Sequence, residues 1–503
     1  MLFNSIYFLT FFPIVVLIYF IIPKKIREVW LLVTSSFFYL FQSPGHFLFL
    51  SLSICTTYLT GRFLGILFGK KELSKRRQTR YGRVILFFCL LINLGMLFCF
   101  KYFHFFFEMA GRVAGKFHWK ISEPTFQFLL PIGISFYTFQ AIGYVIDVYR
   151  QKDLPEKNII RYALFVSFFP LILSGPIERG NHLLPQFQNL KQLKLWDYER
   201  ITGGVSMMLW GYFMKMVIAD RIAIFVNGVY GTYRDQSGIL LIAAAVLFSV
   251  QIYCDFAGYS QIAIGAAKVM GIDVMENFQA PYFSKNVREF WHRWHISLST
   301  WFRDYLYIPM GGSRCHPVRK YFNIVLTFLV SGIWHGASLH FLVWGGIHGA
   351  LQVSEDCLSK PVNKINKKFA VNTECFSYRC MQQATTFALV TAAWVFFRAR
   401  SVREALEYLA FCVSHFRMEA LFNGSFYAVG LSQSEIAVMI FSILVLFASD
   451  RIRYHYGEGW SQYLNRQNLV FRWLFYAVIF FAILVFGIYG PDYGASQFIY
   501  MQF

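Results

Sequence analysis

The feature that most constrains this chain is a succession of apolar runs, each long enough to cross a lipid bilayer as a helix. Residues 5–22, 46–69 and 237–270 are examples. A helix needs about 20 mostly apolar residues to span the hydrocarbon core of a bilayer. The pattern therefore predicts an all-α, polytopic membrane helix bundle with roughly a dozen spans. The other predicted spans are residues 29–41, 84–101, 126–148, 202–230, 321–337, 338–354, 383–397, 432–449 and 470–489.

The composition excludes the main alternatives to a membrane protein. The chain is 56% hydrophobic and 15% charged, whereas about a quarter of the residues of a soluble protein are charged. A soluble enzyme, a disordered scaffold and a secreted disulfide module are therefore excluded. No repeat or long linker divides the sequence, so we predict one integral-membrane domain over residues 1–503. Its core motifs lie at about 126–400, and C-terminal transmembrane helices are expected at 401–503.

Basic residues cluster between the apolar runs and indicate the orientation of the chain. The formal net charge is +20, and basic segments include Lys24 and Lys25 after the first span and much of residues 70–83. Loops rich in Lys and Arg are typical of the cytoplasmic side, and they attract anionic membrane lipids. We therefore expect a multi-pass protein with its N-terminus outside. Nucleic acid is not an expected partner, because no basic stripe is interleaved with aromatic residues.

Two stretches of the sequence lack a clean span. Pro170, Gly175 and Pro176 interrupt the apolar run 162–177, and residues 284–309 mix polar and aromatic side chains. Irregular backbone at membrane depth is tolerated only where it is buried in protein or lines a wet cavity. We therefore expect re-entrant segments in this part of the chain.

Ionisable residues within apolar stretches mark candidate functional positions, since each costs roughly 2.5–3.5 kcal/mol on insertion. His335 is the most informative of them, because it ends a long apolar run and lies between Gly332 and Gly336. Imidazole suits general-base chemistry near neutral pH, although a core histidine bonded to a neighbouring helix would give the same pattern. The other candidates, for lining a substrate path or tunnel, are Tyr253, Asp255, Trp294, Ser297, Ser331 and Trp334.

A second candidate histidine, His295, lies in a segment rich in tryptophan. Trp291, Trp294 and His295 share one face if this segment is helical, and packing at a membrane interface would explain the histidine as well as a binding role would. His292 and His295 could also lie on one side of a helix. No acidic residue at ligand spacing completes a metal site there, so no metal is expected.

The absence of three sequence patterns narrows the chemistry further. None of the 12 histidines begins an H-x-x-x-x-D acyltransferase pattern. The chain also has no G-x-S-x-G nucleophile elbow and no G-x-x-x-x-G-K-[ST] phosphate loop. A serine hydrolase and an ATP-driven pump are therefore disfavoured, and direct transfer assisted by a buried histidine base stays open.

Several longer motifs occur in an order that is typical of one membrane-protein family. They are the runs 130–140 and 147–150 and the segments 169–177, 255–260, 294–299, 331–336 and 393–399. Together they resemble the membrane-bound O-acyltransferase (MBOAT) superfamily, in the branch that contains alginate and other polysaccharide O-acetylation proteins. The resemblance extends over about residues 1–400.

The resemblance implies a fold and a catalytic pair. The MBOAT fold has tilted helices around a central funnel or tunnel, and it supports acyl transfer from a cytoplasmic thioester to an acceptor across the membrane. The near-universal histidine of the family matches His335, and a second characteristic position matches His295. His335 would act as general base on the attacking hydroxyl, and His295 would orient the acceptor or stabilise the oxyanion. Folding must then bring the two rings together.

The resemblance also implies substrates, partners and a location. In this branch the donor is acetyl-CoA, with no tightly bound cofactor, and the acceptor is a hydroxyl of an envelope or exported polysaccharide. A separate extracytoplasmic, serine-esterase-like acetyltransferase is the expected partner, and the bacterial cytoplasmic (inner) membrane is the expected location. Two alternatives stay open. One is transfer of D-alanine from a carrier-protein thioester to teichoic acid, and the other is a transporter or flippase of a lipid-linked glycan, with the histidines as proton relays.

Overall fold

The fold is built from α-helices. The computed structural model describes residues 1–118, 130–457 and 459–489. Within these residues the only β-type pairing is an isolated antiparallel bridge between Phe278 and Trp294, so the predicted all-α class is confirmed. Residues 126–129 of the predicted span 126–148 lie outside the described part of the chain.

The described part of the chain contains 21 α-helices. In chain order they are α1 (Ile6–Ile21), α2 (Arg27–Gln42), α3 (Phe47–Gly69), α4 (Lys75–Leu97), α5 (Phe103–Lys116), α6 (Ile134–Tyr149), α7 (Ile159–Ser167), α8 (Phe169–Ile172), α9 (Gly180–Gln188), α10 (Tyr198–Tyr212), α11 (Asp220–Gly231), α12 (Gly238–Val269), α13 (Val287–Arg293), α14 (Ile296–Phe302), α15 (Pro317–His335), α16 (Leu339–Lys368), α17 (Phe376–Arg398), α18 (Val402–Ser414), α19 (Gln433–Tyr456), α20 (Trp460–Asn465) and α21 (Leu469–Phe486). Among the described residues, the π-helical segments Phe98–Tyr102, Phe213–Ala219 and Arg303–Tyr307 directly follow α4, α10 and α14.

Five helical segments in the described residues are long and apolar enough to cross a membrane. They are Pro44–Gly69, Lys75–Lys116, Gly238–Val269, Phe376–Arg398 and Leu469–Phe486. Each overlaps a predicted span, because a sustained apolar run determines both the prediction and the helix. The full count of about a dozen crossings, the orientation of the N-terminus and a central funnel stay predictions.

The structure differs from the predicted spans chiefly in helix length. The predicted span 84–101 lies within a helical segment of 42 residues, Lys75–Lys116, and the predicted span 338–354 lies within α16, which continues to Lys368. Apolar runs predict only the part of a helix that is apolar, so polar extensions of a helix are missed. The expected interruption of the run 162–177 is present, because α7 ends at Ser167 and the short α8 follows.

The chain divides into two compact units, and each has buried polar contacts between its helices. The first unit comprises Met1–Gly204 with Ala263–Met275, and the second comprises Val205–Ile262 with Glu276–Phe503. In the first, Arg161 on α7 forms an ion pair with Glu28 on α2 at 3.2 Å. In the same unit the Ser53 hydroxyl on α3 donates to the Asn93 side chain on α4 at 2.7 Å. Such contacts fix the register of neighbouring helices.

The candidate site lies in the second unit, where glycines bring α15 and α16 into close contact. A Cβ atom on Gly332 would collide with the backbone of Phe341, and one on Gly345 would collide with the backbone of Phe328. The two helices therefore approach each other at positions that only glycine can occupy, because any side chain there would collide with the other helix. This close contact fixes the end of α15, where His335 lies.

Candidate functional site

His295 occupies an unusual backbone position between two short helices. It precedes α14 with a φ of 44° and a ψ of 53°. A positive φ is uncommon for residues other than glycine, and such conformations cluster at functional sites. The side chain is completely buried, and its ring packs edge-on against Phe256 with 4.6 Å between ring centroids. The surrounding structure must therefore hold this conformation in place.

Backbone hydrogen bonds on both sides of His295 provide that support. The Gln279 amide donates to the Arg293 carbonyl oxygen at 3.0 Å, and the Ile296 amide donates to the Asn277 carbonyl oxygen at 2.9 Å. Both bonds connect the chain around His295 to the irregular segment 277–279. The position of His295 is thus set by pairing with a distant part of the sequence.

Asn277 extends the same support through its side chain. Its Oδ1 accepts a hydrogen bond from the Ser297 hydroxyl at 2.7 Å, and its Nδ2 donates to the Ser260 hydroxyl at 2.9 Å. Ser260 is on α12 and Ser297 is on α14, so the buried amide of Asn277 ties these helices together. Sequence reasoning missed Asn277, because one asparagine in an irregular segment gives no distinguishing pattern.

His335 is the last residue of α15 and is enclosed by aromatic side chains. Its side chain is 4% exposed. The centroid of its ring lies 4.9 Å from that of Trp334, 5.1 Å from that of Trp344 and 5.5 Å from that of Phe397. These rings come from α15, α16 and α17. The helix therefore ends with its histidine inside a packed aromatic cluster.

The indole of Trp334 lies against both candidate histidines. Its ring centroid is 6.1 Å from that of His295 and 4.9 Å from that of His335. Both ring pairs have a steeply inclined, edge-type geometry, with interplanar angles of 61° and 82°. The structure thus brings the two histidines singled out from the sequence to one tryptophan.

A third buried histidine, His348, belongs to the same aromatic cluster. The Trp291 indole N–H donates to His348 Nδ1 at 3.2 Å. Because Nδ1 accepts this hydrogen bond, a neutral His348 ring carries its proton on Nε2. The Trp344 ring lies 5.0 Å from His348 and stacks on Trp394 at 5.6 Å. Sequence reasoning did not single out His348, although an ionisable residue in an apolar helix was an available signal.

A cavity of about 440 Å³ lies beside this cluster. Ile296, which follows His295, lines it on one side, and Ser331, one helical turn before His335, lines it on another. His292, which also lines it, bonds through Nδ1 to the Arg288 carbonyl oxygen at 2.7 Å. The apolar part of the wall includes Leu298, Phe302, Ile324 and Phe328, and the cationic part consists of Arg288, Arg303 and Lys320.

Of the six residues predicted to line a substrate path, five are not among those that line this cavity. Tyr253 donates its hydroxyl to the Asp450 carboxylate at 3.1 Å, and Ser297 is bonded to Asn277. Trp294 is buried in the aromatic packing, where it stacks on Phe290 and contacts Trp394. These side chains have partners within the protein interior. Ser331 lines the cavity, and Trp334 lies between the two histidine rings.

Asp255, another of these five residues, belongs to a buried ion cluster. Lys215 Nζ lies 2.5 Å from an Asp255 carboxylate oxygen and 2.9 Å from an Asp220 oxygen, and the Lys215 side chain is 1% exposed. Buried charges occur in pairs because an isolated one would be too costly to desolvate. Asp255 is therefore placed to compensate Lys215. Asp255 lies on α12 and Lys215 lies on a π-helical segment 40 residues earlier. The sequence does not predict this pairing, because it depends on how the two segments pack.

Comparison with known proteins identifies the family. A profile of the membrane-bound O-acyltransferase family matches residues 153–397. The probable alginate O-acetylase AlgI of Pseudomonas syringae pv. tomato is 35% identical over 402 residues, which cover 80% of this chain and 73% of that protein. The peptidoglycan O-acetyltransferase of Helicobacter pylori is 32% identical over 81% of this chain and 79% of that protein. The teichoic acid D-alanyltransferase of Bacillus subtilis is 31% identical over 47% of this chain and 61% of that protein.

The matched region contains the site described above. Both histidines, the tryptophan between them and the cavity lie within residues 153–397. The similarity to the alginate and peptidoglycan proteins extends over most of both chains. This chain therefore belongs to the membrane-bound O-acyltransferase superfamily, in its polysaccharide O-acetylation branch, and is an O-acyltransferase enzyme.

Proposed function

We propose that this chain moves an acetyl group from a cytoplasmic thioester, acetyl-CoA, across the bacterial inner membrane. The acceptor is a hydroxyl of an envelope or exported polysaccharide, or of a partner transferase. The observation that carries this proposal is the contact of both histidine rings with Trp334, beside a cavity lined by cations. A central funnel or tunnel gives the acceptor its access from the outer side.

The proposed chemistry needs one general base. The acceptor hydroxyl oxygen attacks the thioester carbonyl carbon, and His335 takes the hydroxyl proton. The tetrahedral oxyanion then collapses, the carbon–sulfur bond breaks, and the thiolate of coenzyme A takes the proton back from His335. General-base assistance of this kind is worth about 10²–10⁴-fold in rate. No other reactant is required, because the thioester is already activated.

His295 serves the same reaction in a second role. Its buried ring, near Trp334, orients the acceptor or donates a hydrogen bond to the oxyanion. Preorganised donors of this kind are worth about 2.7–4 kcal/mol in sites that exclude water. The backbone pairing around His295 supports this role, because it fixes the ring before substrate arrives.

The cavity suits the donor. Its apolar wall matches an acyl-pantetheine arm, and Arg288, Arg303 and Lys320 match the anionic end of such a molecule. Acyl-CoA and acyl carrier protein share this arm, so both fit as cytoplasmic donors. The extracytoplasmic step is completed by a separate serine-esterase-like acetyltransferase, which receives the acetyl group and places it on the polymer.

Transfer of D-alanine is the second candidate function. The similarity to the protein named teichoic acid D-alanyltransferase supports it, although that similarity covers 47% of this chain against 80% for the AlgI relative. The same histidines and the same cavity would serve a D-alanyl thioester on a carrier protein. These relatives do not support the transporter alternative, because their names describe acyl transfer.

The test uses purified full-length protein with polysaccharide and teichoic acid as acceptors and with two labelled donors, acetyl-CoA and a D-alanyl carrier protein. We expect the wild type to consume acetyl-CoA and the His335→Ala variant to lose this activity while keeping its abundance in the membrane. His455→Ala, which removes an exposed histidine, serves as the control and should behave as wild type. Consumption of the D-alanyl donor alone would replace the proposal by the second candidate. Full activity in His335→Ala would remove His335 as the base.

A further inference from the structure

Asp356 on α16 binds two of the three cations that line the cavity. Its Oδ1 accepts a hydrogen bond from the Arg288 guanidinium at 3.0 Å, and its Oδ2 accepts one from the Lys320 ammonium at 2.6 Å. Lys320 and Arg288 lower the pKa of Asp356 to about 2, so its carboxylate is ionised at neutral pH. Each carboxylate oxygen thus holds one cavity cation.

The preceding residue, Glu355, has a different role. Its carboxylate accepts hydrogen bonds from the Val287 amide at 2.6 Å and from the Arg288 amide at 3.3 Å. Both amides belong to the first turn of α13, where a carboxylate is favourable. Glu355 therefore attaches α16 to the start of α13 and keeps Asp356 opposite the side chain of Arg288.

The cavity connects these cations with the candidate catalytic end of α15. Lys320 and Ser331 both line it, and their separation of eleven positions along α15 corresponds to about 16 Å along a helix axis. Ser331 is one turn from His335. An extended pantetheine arm has a comparable length, so a phosphate held at Lys320 would leave the thioester near Ser331, one turn before His335.

We propose that Arg288 and Lys320 anchor a phosphate of the thioester donor, and that Asp356 is an internal competitor that occupies this anchor until the donor displaces it. The inference rests on the proposed acyl-transfer function. A phosphate offers oxygens to both cations as the Asp356 carboxylate does, and it carries more negative charge. The chemistry is shared by two sources, coenzyme A and the phosphopantetheine group of a carrier protein. Thioesters without a phosphate cannot displace Asp356 and are thereby discriminated against.

The experiment measures the dissociation constants of coenzyme A, 4′-phosphopantetheine and pantetheine by titration calorimetry on purified full-length protein. In Asp356→Asn we expect coenzyme A to bind about threefold or more tighter, because no ion pair has to be broken. In Lys320→Gln and Arg288→Gln it should bind about tenfold or more weaker, because a charge-assisted bond is lost. Pantetheine should bind equally to all these proteins. Glu374→Gln removes an acid from another ion pair, with Arg379 at 2.7 Å, and should match wild type.

Each outcome decides the inference. If 4′-phosphopantetheine responds to the variants as coenzyme A does, the anchored phosphate is the one that carrier proteins share. If coenzyme A alone responds, the anchored phosphates are those of its nucleotide. Unchanged or weaker coenzyme A binding in Asp356→Asn overturns the inference, as does an equal response of pantetheine. The Lys320 and Arg288 variants decide it independently if Asp356→Asn does not fold.

Acetyl transfer by the same preparations separates the two proposals. If acetyl transfer proceeds but the Asp356, Lys320 and Arg288 variants bind coenzyme A as the wild type does, the proposed function holds and the phosphate anchor is ruled out. The expected binding changes without any acetyl transfer leave the anchor standing and remove the acetyl-transfer function. Absence of both removes both.

Discussion

The Trp334 indole on α15 contacts the His295 imidazole at 6.1 Å between ring centroids, although His295 lies in the link between α13 and α14. The same indole contacts His335 at 4.9 Å. A rigid aromatic ring against both imidazoles restricts their orientation, and small displacements of reacting groups are costly in catalysis. Trp334 is therefore a positioning residue of the proposed site.

Substitutions of Trp334 should show whether its ring is needed for activity, for stability or for both. We expect Trp334→Phe to keep most of the activity, since a smaller ring still separates the histidines. Trp334→Ala should lower kcat by about tenfold or more, because both imidazoles lose their shared contact. Its melting temperature is measured in parallel, since truncating a buried aromatic residue costs about 3–5 kcal/mol. Trp473→Ala removes an exposed tryptophan and is the matched control. Wild-type kcat in a folded Trp334→Ala protein would contradict the positioning role.

The conformation of His295 gives a second prediction. His295→Ala should lower the acetyl-transfer rate by at least about tenfold, because a preorganised polar group is removed. His292→Ala should be milder, because the His292 ring is bonded to the backbone of its own helix. Rates of both variants are measured with acetyl-CoA at saturating and limiting concentrations. A greater loss in His292→Ala than in His295→Ala would show that the two histidines have been assigned to the wrong roles.

The buried ion cluster gives a prediction about stability. Lys215→Met should lower the free energy of unfolding by about 3–5 kcal/mol, because the Asp220 and Asp255 carboxylates lose their buried cation. Chemical unfolding in detergent measures the loss. Lys364→Met removes an exposed lysine from α16 and should have little effect.

A combined variant tests the cause of this loss. If uncompensated charge is responsible, adding Asp220→Asn and Asp255→Asn to Lys215→Met should recover part of the stability. No recovery in the triple variant would mean that packing around Lys215, and not its charge, dominates.

The sequence predicts the helices of this protein better than the contacts between them. The span 237–270 matches α12 closely, because a long apolar run specifies a helix whatever surrounds it. His295 and His335 were singled out as candidates because ionisable residues in apolar segments are rare. The pairing of Asp255 with Lys215 was missed, since it depends on how α12 packs against a π-helical segment. The positive φ of His295 was equally inaccessible, because it follows from backbone pairing with residues 277–279.

A last prediction concerns the pH dependence of stability in the first unit. His182 on α9 lies between two carboxylates, with Nε2 3.6 Å from Asp273 and Nδ1 2.8 Å from Glu178. Asp273 and Glu178 raise the pKa of His182 from 6.5 to about 10. Because the folded pKa is the higher one, the charged ring contributes its full stability below pH 6.5. This contribution is lost as the pH rises towards 10.

The change that tests this linkage is His182→Gln. We expect its melting temperature to fall below that of wild type at pH 6, and the gap to close as the pH rises from 6.5 to 10. His46→Gln is the control in the same unit, because the His46 ring is bonded to the neutral Ser43 hydroxyl at 2.7 Å. The ion pairs of His182 are contradicted if the gap is as large at pH 10 as at pH 6. The His182 ion pairs are also contradicted if the melting temperature of His46→Gln shows the same pH dependence, because the His46 Nδ1 atom is bonded to a hydroxyl and not to a carboxylate.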